Sequence, residues 1–195
     1  VKTQVVIDMG STKSMLTDLV EKHPQRGRFV ASHPMWGTEY SGPSAAVENA
    51  FEQKAVILCD AERSDADALE TAIEMFSTLK MRIIQMNAKD HDLHAAYVSH
   101  ISHITSFALA NTVLEKEKED NAIFEMASAG FESTVRLAKS NPAMWTPILM
   151  QNRENILDVL NEHISQLRKF KSCLEKENWE YLNELMRSEE HTSEL

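Results

Sequence analysis

At 195 residues, 43% of them apolar, the chain can hold one ordinary domain or two small ones and can bury a core, which excludes a disordered protein. Its net charge of −10, with Lys and Arg interleaved among Glu and Asp, argues against nucleic acid as a partner, because phosphate binding needs a basic stripe. The longest apolar runs, such as Lys54 to Cys59, are of strand length and far short of the about 20 residues of a membrane span; two cysteines and no signal-peptide pattern predict a cytoplasmic protein without a disulfide framework.

Through the first half, short apolar runs alternate with helical patterns, which predicts a mostly parallel sheet with crossover helices. Strands are expected at Gln4 to Asp8, Arg28 to Ser32, Ala55 to Cys59 and Met81 to Gln85. The helices between them are expected at Ser14 to Lys22, Ser44 to Glu48 and Asp65 to Leu79, the last with Ala68, Leu69, Ala72, Ile73, Phe76 and Leu79 on one face.

The segment VVIDMGSTK, Val5 to Lys13, puts Asp8, Gly10 and Ser11 at the carboxyl end of the first strand, where open α/β sheets bind ligands. A Walker phosphate loop is excluded because Thr12, not glycine, precedes Lys13. A first phosphate loop of actin-like kinases would require a much longer chain and an antiparallel hairpin after Asp8. A structural turn with Gly10 at positive φ is the reading this segment alone favours. In RFVASHPMWGTE, Arg28 to Glu39, Pro34 restrains His33 to an extended backbone at a strand's end, in the same crevice as Ser11. A histidine near a hydroxyl is a candidate general base or hydrogen-bond relay.

After Asn87 the pattern changes: no strand is expected from His91 to Met186, and Gly130 and Asn141-Pro142 separate long helical stretches. HDLHAAYVSHISH, His91 to His103, carries four of the eight histidines. At 3.6 residues per turn, His100 and His103 share a face with Ala96, Ser99 and Phe107, while His91 and His94 point elsewhere, so the four do not converge on a metal. Further on, Arg136 sits in an apolar setting where a guanidinium wants a carboxylate, its own or a substrate's. The stripe Ile156, Leu160, Ile164, Leu167, Leu174 is amphipathic and serves either core packing or a dimer seam.

Taken in order, D-x-G-S-x-K (Asp8 to Lys13), H-P-M-x-G-T-E (His33 to Glu39), H-D-x-x-x-A-x-x-S-H-x-x-H (His91 to His103) and R-L-A-K-S-x-P-x-M-W (Arg136 to Trp145) resemble the prephenate dehydrogenase family. The resemblance implies an α/β plus all-α fold: the C-terminal part of a Rossmann-like nucleotide-binding domain at 1–87, then a helical dimerisation domain at 88–186. It implies oxidation and decarboxylation of prephenate, or of its amino analogue arogenate, with NAD or NADP, in a homodimer. Carried over by motif, His33 is the catalytic histidine that bonds the ring hydroxyl, and Ser11 orients it near the nicotinamide. Arg136 holds a substrate carboxylate. Ser99, His100 and His103 line the substrate pocket, with Thr38, Glu39 and Trp145 as further wall, and Asp8, Gly10, Ser11 and Pro34 lie on the cofactor side. The histidine cluster then belongs to a pocket, with no metal, and His33 and Ser11 should face one cleft opposite His103.

Two departures matter. The glycine-rich dinucleotide fingerprint is absent, so the chain reads as an N-terminally truncated fragment, expected to be inactive alone. Glu132 stands where some relatives carry lysine, leaving prephenate against arogenate open. The last nine residues, Arg187 to Leu195, resemble a translated sequencing adapter and are read as a non-native tail. A competing reading, a non-catalytic helical dimerisation module, expects Ser11, His33 and Arg136 scattered on separate surfaces.

Overall fold

The computed structural model describes residues 4–38, 40, 42–118 and 122–187. These fall into two compact units, Val1–Ile156 and Leu157–Leu195.

The first unit opens with four strands, β1 (Val6–Asp8), β2 (Phe29–Pro34), β3 (Ala55–Cys59) and β4 (Arg82–Met86), paired in the order β1-β2-β3-β4. All four strand segments expected from the sequence are present, one with both ends as expected and the others with ends displaced by at most two residues. β1 runs parallel to β2 and β3 parallel to β4, each pair joined through a helix: α1 (Ser14–Val20) and α2 (Ala66–Thr78). β2 and β3 are antiparallel, a departure from uniform crossovers. The helix expected at Ser44 to Glu48 is only a single 3₁₀ turn at Pro43–Ala45, begun by Gly42 at φ 85. A connection without a full helix has nothing to carry the chain across the sheet face, so β3 returns beside β2 in the opposite sense. Because β1 leads into a helix and a parallel strand, the hairpin required by an actin-like kinase is absent at this point of the fold.

Strand alternation divides the core. Val30, Val56 and Leu58 face α2, which presents Ala68, Ala72 and Phe76, with Leu69 and Ile73 packed alongside. Phe29, Ala31, Ile57 and Cys59 pack on the other face with Ala88. Burial of each large side chain contributes about 1.5–3 kcal/mol. Of the expected α2 stripe only Leu79 is exposed, because the helix has already ended there.

Beyond β4 the described residues contain helices and turns but no strand. Asn87 caps α3 (Ala88–Ala95) by accepting from the Asp90 amide at 2.8 Å. α3 passes through a π-helical turn at Ala96–His100 into α4 (Ile101–Glu117). α5 (Ala129–Val135) includes Gly130, so that glycine lies inside a first helical turn rather than between helices; the separation falls earlier, around a 3₁₀ turn at Phe124–Met126. Asn141 and Pro142 do start a helix, α6 (Pro142–Gln151), with the Asn141 side chain accepting from the Ala143 amide at 2.9 Å.

The second unit holds most of α7 (Arg153–Glu175), followed by α8 (Trp179–Arg187). Glu177, at φ 52, turns the chain, and Asn178 caps α8 through the Tyr181 amide at 3.1 Å. Ile164, Leu167 and Leu174 of the amphipathic stripe are exposed, as are Trp179 and Met186. Residues 188–195 of the expected tail lie outside the described residues.

Candidate active site

The loop after β1 is held by charge rather than by glycine geometry. Gly10 is not at positive φ, contrary to the expectation of a structural glycine turn. Its amide donates to Asp8 Oδ1 at 2.9 Å, and a Cβ there would meet that same oxygen at 3.2 Å. The other Asp8 oxygen pairs with the Lys13 ammonium, which is 0% exposed. That pairing neutralises a buried charge that would otherwise be very costly. Ser11 is half-buried and makes no hydrogen bond to the described residues. Past it, the first amides of α1 have no cap from their own segment. Asp92 of α3 supplies it: Lys13 N donates to Oδ1 and Ser14 N to Oδ2, both at 2.8 Å.

His33 stands near the end of β2, next to Ser32, whose hydroxyl donates to the Asp8 carbonyl at 2.5 Å and stitches the two strand ends together. His33 Nδ1 lies 2.8 Å from His91 Nε2, the rings meeting edge to face at 67°. His91, 2% exposed, in turn places Nδ1 2.9 Å from Asp92 Oδ1. Burial above all, then the electrostatic cost of adding a proton beside His91, Lys13 and His100, pushes the His33 pKa down to about 3 against the opposing pull of Asp92. The imidazole is therefore neutral at physiological pH. Burial pushes Asp92 up, but hydrogen bonds from His91 and from the Ser14 and Lys13 backbone outweigh it and hold the carboxyl below its usual range.

The helical wall carries His100 and His103 of the clustered histidines. His100 is 1% exposed, with Nδ1 3.1 Å from Asn152 Nδ2, which also donates to the Asp92 carbonyl at 2.6 Å. His103 Nδ1 lies 3.0 Å from the Ser99 carbonyl, and its ring stacks on Trp145 at 3.5 Å. His100 meets the same indole edge-on at 5.9 Å. Trp145 is buried, and its Nε1 has no hydrogen-bond partner among the described residues. Burial lowers the His100 pKa to about 4. The His103 pKa is lowered by burial and by the nearby Arg136 guanidinium, against the Ser99 carbonyl.

The expectation that His91 points away from His100 is therefore corrected, while His94, also expected to point elsewhere, is exposed. The π-turn at Ala96–His100 accommodates one residue more than an α-turn does, which offsets the phase between the two helical segments by about 100° and brings His91 and His100 to the same side.

The remaining candidates are more peripheral. Arg136 is exposed and opens a 3₁₀ turn pinned to α4 by Ser106, whose hydroxyl donates to the Thr134 carbonyl and accepts from the Ala138 amide, both at 3.1 Å. Glu132 pairs with Lys139 at 3.4 Å. Pro34 ends β2, and Thr38 accepts from the Tyr40 amide at 3.3 Å in the loop beyond it. Glu39 lies outside the described residues. His91 and Asp92 open the quoted H-D motif but were given no role from the sequence, and Asn152 was not singled out; a histidine and carboxylate adjacent in the first turn of a capped helix was the available signal for the first two.

Residues 1–85 match the family model described as prephenate dehydrogenase, nucleotide-binding domain, and residues 87–188 that described as prephenate dehydrogenase, dimerization domain. Prephenate dehydrogenase of Bacillus subtilis is 32% identical over 179 residues, 91% of this chain and 48% of the relative. Cyclohexadienyl dehydrogenase of Zymomonas mobilis is 30% identical over 184 residues, 94% of this chain and 63% of the relative. The crystal structure of prephenate dehydrogenase from Aquifex aeolicus in complex with hydroxyphenyl propionate and NAD+ superposes with a TM-score of 0.87 at 29% identity, covering 99% of this chain and 67% of that one. The chain thus spans about half to two thirds of the length of the curated relatives it matches.

Proposed function

Because the chain belongs to the prephenate dehydrogenase family, we propose that it supplies the catalytic corner of an enzyme that oxidises and decarboxylates prephenate, with arogenate as the alternative substrate. The observation that carries this reading is the buried His33, neutral and held through Nδ1, so that Nε2 is the nitrogen left for a substrate. In the proposed step Nε2 accepts the proton of the ring hydroxyl while hydride leaves the carbon that bears it. The ring carboxylate departs as carbon dioxide, the ring becomes aromatic, and His33 returns the proton to the ring oxygen. Arg136, near His103, binds a substrate carboxylate and orients the dianion. Ser99, His100, His103, Thr38, Glu39 and the Trp145 face form the substrate wall.

NAD, the cofactor in the Aquifex complex, is the proposed hydride acceptor, with NADP as the alternative. Bound, it supplies an oxidised nicotinamide. The residues present fit that end of the molecule: Ser11 offers a half-buried hydroxyl with no partner among the described residues, in the loop that Asp92 ties to His33, with Asp8 and Gly10 in the same loop and Pro34 assigned to the cofactor side by motif. They do not fit its pyrophosphate, because the buried cation of this loop, Lys13, is already committed to Asp8.

The domain assignment remains as read from the motifs, nucleotide-binding residues up to 87 and a helical dimerisation domain from 88 to 186. The exposed Leu167, Leu174 and Trp179 support a homodimer through the helices. The test is an assay of the full-length protein with prephenate and arogenate, each offered with NAD and NADP, following reduced nicotinamide and released carbon dioxide together. Absence of both products in all four combinations refutes the reading.

A further inference from the structure

We propose that His91 and Asp92 are positioning residues which fix His33 in the tautomer that carries its hydrogen on Nδ1 and its lone pair on Nε2. The proposal rests on the reading of His33 as the base and adds what makes it one.

An ionised carboxylate only accepts hydrogen bonds. Asp92 Oδ1, 2.9 Å from His91 Nδ1, therefore requires the hydrogen of His91 to be on Nδ1. A neutral imidazole has one N–H, so His91 Nε2 then presents a lone pair. That lone pair faces His33 Nδ1 at 2.8 Å, and two lone pairs cannot share that distance; the hydrogen between them belongs to His33. His33 is neutral, so its Nε2 is left bare. The order Asp92, His91, His33 thus sets a tautomer from a carboxylate two contacts away.

Every member is braced. Asp92 takes the Lys13 and Ser14 amides and has its own carbonyl held by Asn152, and α3 is anchored where Asp60 Oδ1 accepts the Ala88 amide at 3.0 Å. The charged and titratable groups facing the array are Lys13 and Asp8 from the β1 loop and His100 from the helical wall, with Arg136 acting on His103 beyond. The same carboxylate thereby couples the placement of the Ser11 loop to the hydrogen position on His33.

The alternative arrangement has distinct consequences. A doubly protonated His91 would donate from Nε2 to His33 Nδ1 and leave His33 with an N–H where a base is needed.

Long-range proton–nitrogen correlation spectra of the ¹⁵N-labelled chain, assigned with His33→Asn and recorded from pH 5 to 8, distinguish the two. The expected result is a neutral His33 with a protonated-type Nδ1 and an unprotonated-type Nε2 throughout. A His33 protonated at Nε2, or charged at pH 7, overturns the proposal whatever the variants do.

His91→Phe should release His33 into a mixture of tautomers. In the full-length protein it should lower kcat roughly 100-fold or more, up to the roughly 10⁴-fold seen when a triad histidine is held wholly in the wrong tautomer, with KM within about threefold. His91→Gln places an amide oxygen near the position of Nε2 and should restore most of the loss and the native tautomer. Equal kcat and tautomer in His91→Phe and the native chain, with thermal unfolding showing both folded, overturns the proposal. The native tautomer without dehydrogenase activity would sink the function and leave the positioning intact; activity with the opposite tautomer would do the reverse.

Discussion

Burial of two neutral imidazoles makes acid stability a direct test of the candidate site. A histidine in an unfolded chain titrates near 6.5; in the folded chain His33 is pushed down to about 3 and His100 to about 4. Both folded values lie below the unfolded one, so the unfolded chain binds more protons in between. Stability from these groups is complete above about pH 6.5 and is lost as the pH falls toward the folded values. From pH 7 to pH 5 each contributes about 2 kcal/mol at full burial, and about 3 to 4 kcal/mol together once the partial exposure of His33 is allowed for. Asp92, also lowered in the folded chain, loses its contribution only as the pH falls below the ordinary aspartate value near 3.8, outside this window. Urea unfolding of the native chain at pH 7 and pH 5 should show the whole loss, His33→Asn or His100→Asn clearly less, and the double variant only the part left to His103, whose pKa burial also lowers. His94→Asn, at an exposed position, should behave as the native chain. If the double variant lost as much stability between pH 7 and pH 5 as the native chain, the burial of these rings as neutral groups would be refuted.

Four further outcomes are expected. In the full-length protein His33→Asn keeps a hydrogen-bonding group but no base, so steady-state kinetics should show kcat down by roughly 10² to 10⁴ with little change in KM. Arg136→Gln should raise KM by roughly 10- to 150-fold in the same assay, the cost of a charge-assisted contact of about 1.5–3 kcal/mol made in ground and transition states alike; an unchanged KM removes Arg136 from the site. Phe76→Ala, emptying the contact with Val30, Val56 and Leu58, should cost about 3–5 kcal/mol in urea unfolding, and a cost below about 1 kcal/mol would mean that α2 does not pack as described. Sedimentation of the chain should find a dimer or larger species at micromolar concentration, and a folded monomer there would count against the helical seam.

The strands and α2 were legible because their cause is local. The short apolar run Phe29 to Ala31, buried on both faces of the sheet, and the three-and-four spacing of Ala68, Ala72 and Phe76 are marks that the sequence carries locally. The antiparallel return of β3 was not legible as a pairing, though its cause was visible: between Pro34 and Ala55 the chain offers Gly37, Gly42 and Pro43 and too few periodic apolar residues for a crossover helix. Asp92 was hidden for another reason. It caps a helix 78 positions earlier in sequence, so neither partner carries a local mark of the other.

His91 departs from the face a uniform 3.6-residue repeat would give it, and nothing in Ala96 to His100 announces a π-turn. That single irregularity has a chemical consequence. Without it His91 and His100 would lie on opposite sides of the helix; with it both act on His33, and their fields add to burial in lowering its pKa. Each imidazole brought to the corner makes protonation of the others harder, which costs the fold stability below about pH 6.5. The same repulsion keeps His33 unprotonated, with its Nε2 lone pair free, while lowering its intrinsic proton affinity. The acid sensitivity of the fold and the unprotonated state of Nε2 are thus two results of one packing arrangement, and a variant that relieves the first by thinning the histidines around His33 should narrow the pH range of the second.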